Sequence, residues 1–286
     1  ENNWQVFGTS RKKLNSFNPM FTPIKLNVNS KTNISILNDY LPFDAIVHSA
    51  AKLPYTLKDD NDINKYYNCN VDGTRFLLDW SIVSKIRRFI YISSTGVMDS
   101  KNTYFGESSA ITPKLNHYHT SKAMGELLCG LYNNSNLRIS VLRIKAPYGY
   151  KKNESVISKF IELAKENKNL ELWGSGIRSQ TFTFVEDIGL ASELVIKYKK
   201  SNSIYNIAGY ESISMKQLAN MLLRLFPNSK SKIVFLNKND PNEKERNIVS
   251  LEKAKKEINF LPRFNIESGL EKIIQSSNNN FCSYKN

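Results

Sequence analysis

Five consecutive residues, Tyr118-His119-Thr120-Ser121-Lys122, carry the chemistry most easily read from this chain. If Tyr118 opens a helix, positions 118 and 122 stack on one face and set a phenol beside an ammonium. A neighbouring cation favours phenolate over phenol, so Lys122 is expected to draw the tyrosine's pKa down from about 10 toward neutrality. A tyrosine tuned in that way can take a proton from a hydroxyl and return it. The segment that follows keeps helical period, with Met124, Leu127, Leu128 and Leu131 available for burial, so the pair is expected to stand on a packed support. Taken alone, a tyrosine and a lysine four residues apart are an ordinary surface feature, and the elements around them decide.

Those elements alternate. Residues 4–10 and 23–28 have strand character, 34–41 suits a short helix, and 44–48 is a near-continuous apolar run of the kind that forms a buried parallel strand. The small residues Ser49, Ala50 and Ala51 follow it and leave room for a flat group to approach the backbone. Helical patterns cover 62–68 and 71–85, the second placing Phe76, Leu77, Trp80 and Val83 at core spacing. Strand 88–93 then delivers Ser94 and Thr95, the Tyr118 helix follows, and strand 137–143 stops before Ala146-Pro147-Tyr148-Gly149.

Alternation of this kind predicts an α/β fold with a doubly wound parallel sheet, whose ligands bind beyond the carboxyl ends of the strands. His48 to Ala51, Ser94-Thr95 and Pro147 to Gly149 all fall at such ends. Residues 1–150 form the expected dinucleotide-binding domain and 151–286 a smaller α/β substrate region, part of 180–207 returning to the first sheet. Within that region a capping-box match, Ser214-x-x-Gln217, opens a helix.

Composition narrows the class. The chain has 286 residues, 41% apolar and 11% aromatic, which suits a large globular core. Its formal charge is +14, but the basic residues lie in short clusters such as Arg11-Lys12-Lys13, without the aromatic interleaving of a single-strand binder, so no nucleic-acid partner is expected. No apolar run approaches the roughly 18 residues that cross a bilayer, and a cytoplasmic location without membrane contact is the expectation. Cys69, Cys129 and Cys282 are too scattered for a disulfide framework or a zinc site, and no metal is expected.

In order along the chain, His48-Ser49-Ala50-Ala51, Asn70-Val71-Asp72-Gly73-Thr74, Tyr91-Ile92-Ser93-Ser94, Tyr118-x-x-x-Lys122, Arg143 to Gly149, Val185-Glu186-Asp187 and Tyr205-Asn206-Ile207 resemble the extended short-chain dehydrogenase/reductase family, which contains UDP-galactose 4-epimerase and other nucleotide-sugar enzymes. The resemblance implies a Rossmann-like first domain. It implies Tyr118 as acid/base, Lys122 as its pKa partner and ribose ligand, Ser94 on the substrate oxygen, and Asn70 steadying the backbone. His48, Ala50, Ala51, Ser93 and Pro147 would border the cofactor, and Thr95 the substrate.

The implied reaction removes a proton and a hydride from a sugar carbinol to give a ketone; return of hydride to the other face is epimerisation, and release of the ketone is dehydrogenation. The family's 4,6-dehydratases carry an acidic pair where Thr95 and Gly96 stand, so elimination is disfavoured. Arg11, where an acid usually holds the ribose of NAD, favours NADP, with NAD the alternative. Diphosphate-binding arginines of the family are replaced by Gln180 in one register, leaving Arg178 and Arg246 as candidates. A homodimer is implied by resemblance alone.

The family's opening strand and glycine loop have no counterpart here, since the first glycine is Gly8, and a βα unit of about 25 to 30 residues is expected to be missing. On that reading the polypeptide binds dinucleotide poorly by itself. Alternative functions are a reductase of a small non-sugar carbonyl compound and a non-catalytic dinucleotide-binding scaffold.

Overall fold

A computed structural model describes residues 4–12, 18–54, 62–98, 104–113, 116–134, 136–150, 155–198, 202–244 and 248–278. The chain forms two compact units, each assembled from discontinuous segments: residues 1–92, 115–141 and 201–203 make the first, and residues 93–114, 142–200 and 204–286 the second.

In the first unit, β1 (Val6–Ser10) and β2 (Phe21–Lys25) form a parallel pair in which the ring of Phe21 lies against Gly8, where a Cβ would meet it at 2.3 Å. The predicted 34–41 helix is instead a short α1 (Lys31–Ile34) running into a 3₁₀ turn, Ser35–Tyr40. Next comes β3 (Ala45–His48), parallel to β4 (Arg88–Ser94) with His48 opposite Tyr91. Between them α2 (Ile63–Tyr67) passes through one π-helical turn, Asn68–Asp72, into α3 (Gly73–Val83). A four-stranded sheet has the order β11-β6-β4-β3, with β6 at Arg138–Ile144 and β11 at Ile204–Ile207. Parallel strands joined by helices are the Rossmann arrangement, and the α/β expectation stands.

The helix carrying the tyrosine departs from expectation. It is α4 (His117–Tyr132), and its buried face is Ser121, Lys122, Ala123, Gly125, Glu126 and Cys129. The apolar positions look the other way: Leu127 is 61% and Leu131 81% exposed, and Val83 on α3 is also 81% exposed. The apolar stripe therefore marks an outer face, and a small, polar stripe is what packs inward.

The second unit contains β5 (Tyr104–Phe105), β7 (Pro147–Tyr148), β8 (Leu170–Leu172), β9 (Ser179–Thr181), β10 (Thr183–Phe184), β12 (Ser212–Ser214), β13 (Ile233–Phe235) and β14 (Ile248–Val249). They pair as β5 with β14, β7 with β10 and β8 with β13, all parallel, and β9 with β12 antiparallel. Helices α5 (Val156–Lys165), α6 (Val185–Lys197), α7 (Met215–Leu225), α8 (Glu252–Ile258) and α9 (Ile266–Asn278) accompany them. The capping box forms as read: Ser214 Oγ accepts from Gln217 N at 3.1 Å, and Gln217 Oε1 accepts from Ser214 N at 2.8 Å. From that fixed start α7 buries Met215, Leu218, Ala219 and Leu222, a 3.6-period stripe, in a core shared with Phe160, Leu170 and Phe184. Among the described residues no helix is long and apolar enough to cross a membrane.

Candidate active site

The first unit gathers Tyr118, Lys122, Asn70 and His48. Asn116 caps α4, its side-chain oxygen accepting from His119 N at 2.9 Å, which places Tyr118 in the first turn and Lys122 one turn on. Asn70 sits in the π-helical turn and is fully buried. Its amide makes a reciprocal pair with Lys52, accepting from Lys52 N at 2.7 Å and donating to Lys52 O at 3.2 Å. It also donates to Ser121 Oγ at 2.9 Å, and Ser121 in turn donates to Tyr118 O at 2.8 Å. One side chain thereby ties the segment after β3 to the first turn of α4. An irregular turn at this point is consistent with function, since π turns recur at such sites.

His48 takes a different part. Its side chain is buried between the rings of Phe89 and Tyr91, and its Nε2 lies 3.0 Å from Thr74 Oγ1. Thr74 donates to Asn70 O at 2.7 Å, so its oxygen accepts from a His48 Nε2–H. The His48 ring is committed to the interior, which leaves its backbone to border a cofactor. Burial, together with the Lys122 charge, lowers its pKa from 6.5 to about 3.

The electrostatics also reverse one expectation. Burial pushes Tyr118 up to about 12, so the neighbouring lysine does not bring it toward neutrality. Lys122 is itself lowered to about 7 by burial, against the opposing pull of Cys129, Glu126 and Cys69, and its amine lies over the ring of Tyr91. Desolvation is the larger effect for both members of the pair.

A consequence for stability follows from His48. Between pH 6.5 and about 3 the unfolded chain holds a proton on this imidazole that the folded chain refuses, so stability rises with pH across that window and is lost as pH falls through it. We expect His48→Asn, by removing the titrating group, to flatten the denaturation midpoint between pH 6.5 and 4, where the native protein loses on the order of a few kcal/mol.

The other candidates lie in different surroundings. Ala50 and Ala51 are half-buried directly before Lys52, and Arg11 is exposed at the end of β1. In the second unit, Ser94 accepts from Gly96 N at 3.1 Å and caps the 3₁₀ turn Thr95–Val97. A hydroxyl that accepts from backbone keeps its proton for a further acceptor. Ser93 and Thr95 are buried, and Pro147 is exposed in β7. Gln180 sits in β9 opposite Ile213, and Arg178 Nε is 3.4 Å from Asp240 Oδ2, so that guanidinium already faces a carboxylate. Arg246 lies outside the described residues. Sequence reasoning missed Tyr91, Thr74, Ser121 and Lys52; the signal for Tyr91 was Gly125, three residues after Lys122 on the same helix face.

A small-residue ledge at Ala50 and Ala51 and a hydroxyl and amine on one helix suit a flat ring and the hydroxyls of a ribose. The residue types present fit a nicotinamide nucleoside, for which Lys122 and Tyr118 would be the candidate polar contacts.

Comparison with known proteins supplies the context. A model of a family described as "NAD dependent epimerase/dehydratase family" matches residues 1–208. The chain is 29% identical over 260 residues to human dTDP-D-glucose 4,6-dehydratase, covering 88% of this chain and 74% of that protein. It is 28% identical over 239 residues to UDP-glucuronate 4-epimerase of Thermodesulfobacterium geofontis, covering 82% and 73%. Among solved structures it is similar to UDP-glucuronic acid 4-epimerase from Bacillus cereus, in complex with UDP-glucuronic acid and NAD, with TM-score 0.79 and 26% identity over 91% of this chain and 83% of that one. In fold it also matches UDP-glucose 4-epimerase of Thermotoga maritima, with TM-score 0.85 at 18% identity over 97% of this chain and 92% of that one.

Proposed function

The chain belongs to the NAD dependent epimerase/dehydratase family, and from that premise we propose that it is an epimerase or reductase of a nucleotide-activated sugar that works through a ketone, with Tyr118 moving the proton. The observation that carries this reading is the Asn70 network, which fixes the helix turn of Tyr118 and Lys122 to the segment after β3. When bound, oxidised nicotinamide supplies a positive charge near the phenol and accepts a hydride from the sugar carbon. With its pKa near 12, Tyr118 rests as a phenol, the form that donates a proton to a ketone oxygen during reduction. In the opposite direction the phenolate takes the hydroxyl proton as the C–H bond gives up its electron pair. Lys122, near neutrality, can hold a proton or release it and so supports either direction. For Ser94 the family resemblance implies a hydrogen bond to the sugar oxygen, and its hydroxyl proton is left for such an acceptor. Neither Thr95 nor Gly96 carries a carboxylic acid to protonate a leaving hydroxyl, which supports redox or epimerisation over elimination.

Arg11 supports NADP, since a guanidinium pairs with a 2′-phosphate, whereas the Bacillus cereus relative holds NAD. The test is incubation with UDP-glucuronic acid or UDP-glucose and each dinucleotide, with products read by NMR. An epimer or a keto sugar with its hydroxymethyl or carboxyl carbon intact is expected. A 4-keto-6-deoxy product would replace this reading with elimination. The Arg178–Asp240 contact favours a second reading, a reductase of small carbonyl compounds. In that case uridine diphosphate would not inhibit.

The exposed Val83, Leu127 and Leu131 support a homodimer through α3 and α4. Replacing Leu127 and Leu131 together by glutamate is expected to turn a sedimenting dimer into a monomer while leaving the far-ultraviolet circular dichroism unchanged.

A further inference from the structure

Strand β4 carries Tyr91 beneath α4. The ring centroid lies 3.9 Å from Lys122 Nζ, and the hydroxyl donates to the main-chain oxygen of the same lysine at 3.5 Å. Tyr91 is fully buried and Lys122 nearly so. The ring fits because residue 125 is glycine, where a Cβ would come within 2.1 Å of the Tyr91 oxygen. A single aromatic residue therefore brackets both the head and the backbone of one lysine.

We propose that Tyr91 is the positioning residue of Lys122, its π face holding the ammonium in place and favouring the protonated form. The functional meaning of this seat rests on the proposed reaction, but the seat itself does not. A π face attracts a cation electrostatically without offering an oxygen that would lock it into an ion pair, so the amine stays aimed and still able to exchange its proton. The groups coupled to Lys122 are His48 from β3, Cys69 from the π-helical turn, and Glu126 and Cys129 of its own helix, with the Tyr91 ring of β4 against its amine. Burial drives the amine toward neutrality, Cys129, Glu126 and Cys69 oppose it, and the ring contact adds to that opposition.

The test uses whole protein carrying carbon-13 at lysine Cε, with the Lys122→Met variant identifying the signal. In the native protein the Cε protons of Lys122 are expected upfield of every other lysine, shielded by the ring beneath them; an unshifted signal overturns the proposal without any change at position 91. Position 91 is then replaced by phenylalanine and by its mono-, di- and trifluoro analogues, which weaken the ring's negative face at nearly constant size. The titration midpoint of Lys122 is expected to fall stepwise, by roughly half a unit to one unit across the series. A midpoint indifferent to fluorination overturns the seat. A midpoint that moves in a protein that turns over no nucleotide sugar keeps the seat and removes the proposed reaction, whereas turnover with a flat series does the reverse.

Discussion

Replacing Tyr118 by phenylalanine is expected to lower turnover of a nucleotide sugar by about 10²- to 10⁴-fold, the usual worth of a positioned acid or base. Dinucleotide and nucleotide-sugar affinities should change little. The substitution removes one oxygen and leaves the helix intact, because the bonds that hold this turn run through backbone: Ser121 donates to Tyr118 O, and Asn116 receives His119 N. The ring keeps its edge contact with His119. A structural tyrosine would show the reverse, a lost melting temperature with surviving catalysis. The measurement is a pair of titrations and a product assay on the same preparation. Unchanged turnover in the phenylalanine variant would remove Tyr118 from the mechanism.

The second large effect is expected on stability. Asn70→Leu matches the side chain in size but strands the Lys52 N–H, which now donates at 2.7 Å, and removes the donor to Ser121 Oγ. A buried polar group left without its partner costs about 1 to 3 kcal/mol, and here more than one is affected within a network. We expect a loss of about 3 kcal/mol in urea unfolding, with unchanged denaturant dependence. Asn70→Asp tests the same wiring differently: it keeps the acceptor for Lys52 N and loses the donor to Lys52 O and Ser121 Oγ, so it should fall between the native protein and the leucine variant. A leucine variant as stable as the native protein would mean that the network contributes nothing.

Much of this was legible in the chain because strand and helix periods are local properties. The apolar run before His48 and the box at Ser214 and Gln217 appear where they were read, and the strand read as 88–93 runs one residue further, to Ser94. What failed was the direction of α4. Apolar period finds a stripe but does not say what covers it, and Met124, Leu127 and Leu131 face outward while Lys122 and Glu126 go in. Val83 was misplaced for the same reason. The pKa of Tyr118 was misread because adjacency of charge is visible in sequence and desolvation is not; the larger of the two depends on how deeply the fold encloses the phenol. His48 was assigned to a ligand by its place after a strand, and its packing against Phe89 and Tyr91 required coordinates.

The strand order β11-β6-β4-β3 also bears on how the protein can be cut. A clone ending near residue 150 looks like a natural half, yet it discards β11 and leaves β6, with buried Leu142 and Ile144, as a bare sheet border. Such borders recruit other chains and precipitate. Deletion mapping of the first 150 residues would then report insolubility although His48, Asn70, Tyr118 and Lys122 were all still present, and complementation between two co-expressed pieces would be the more informative format.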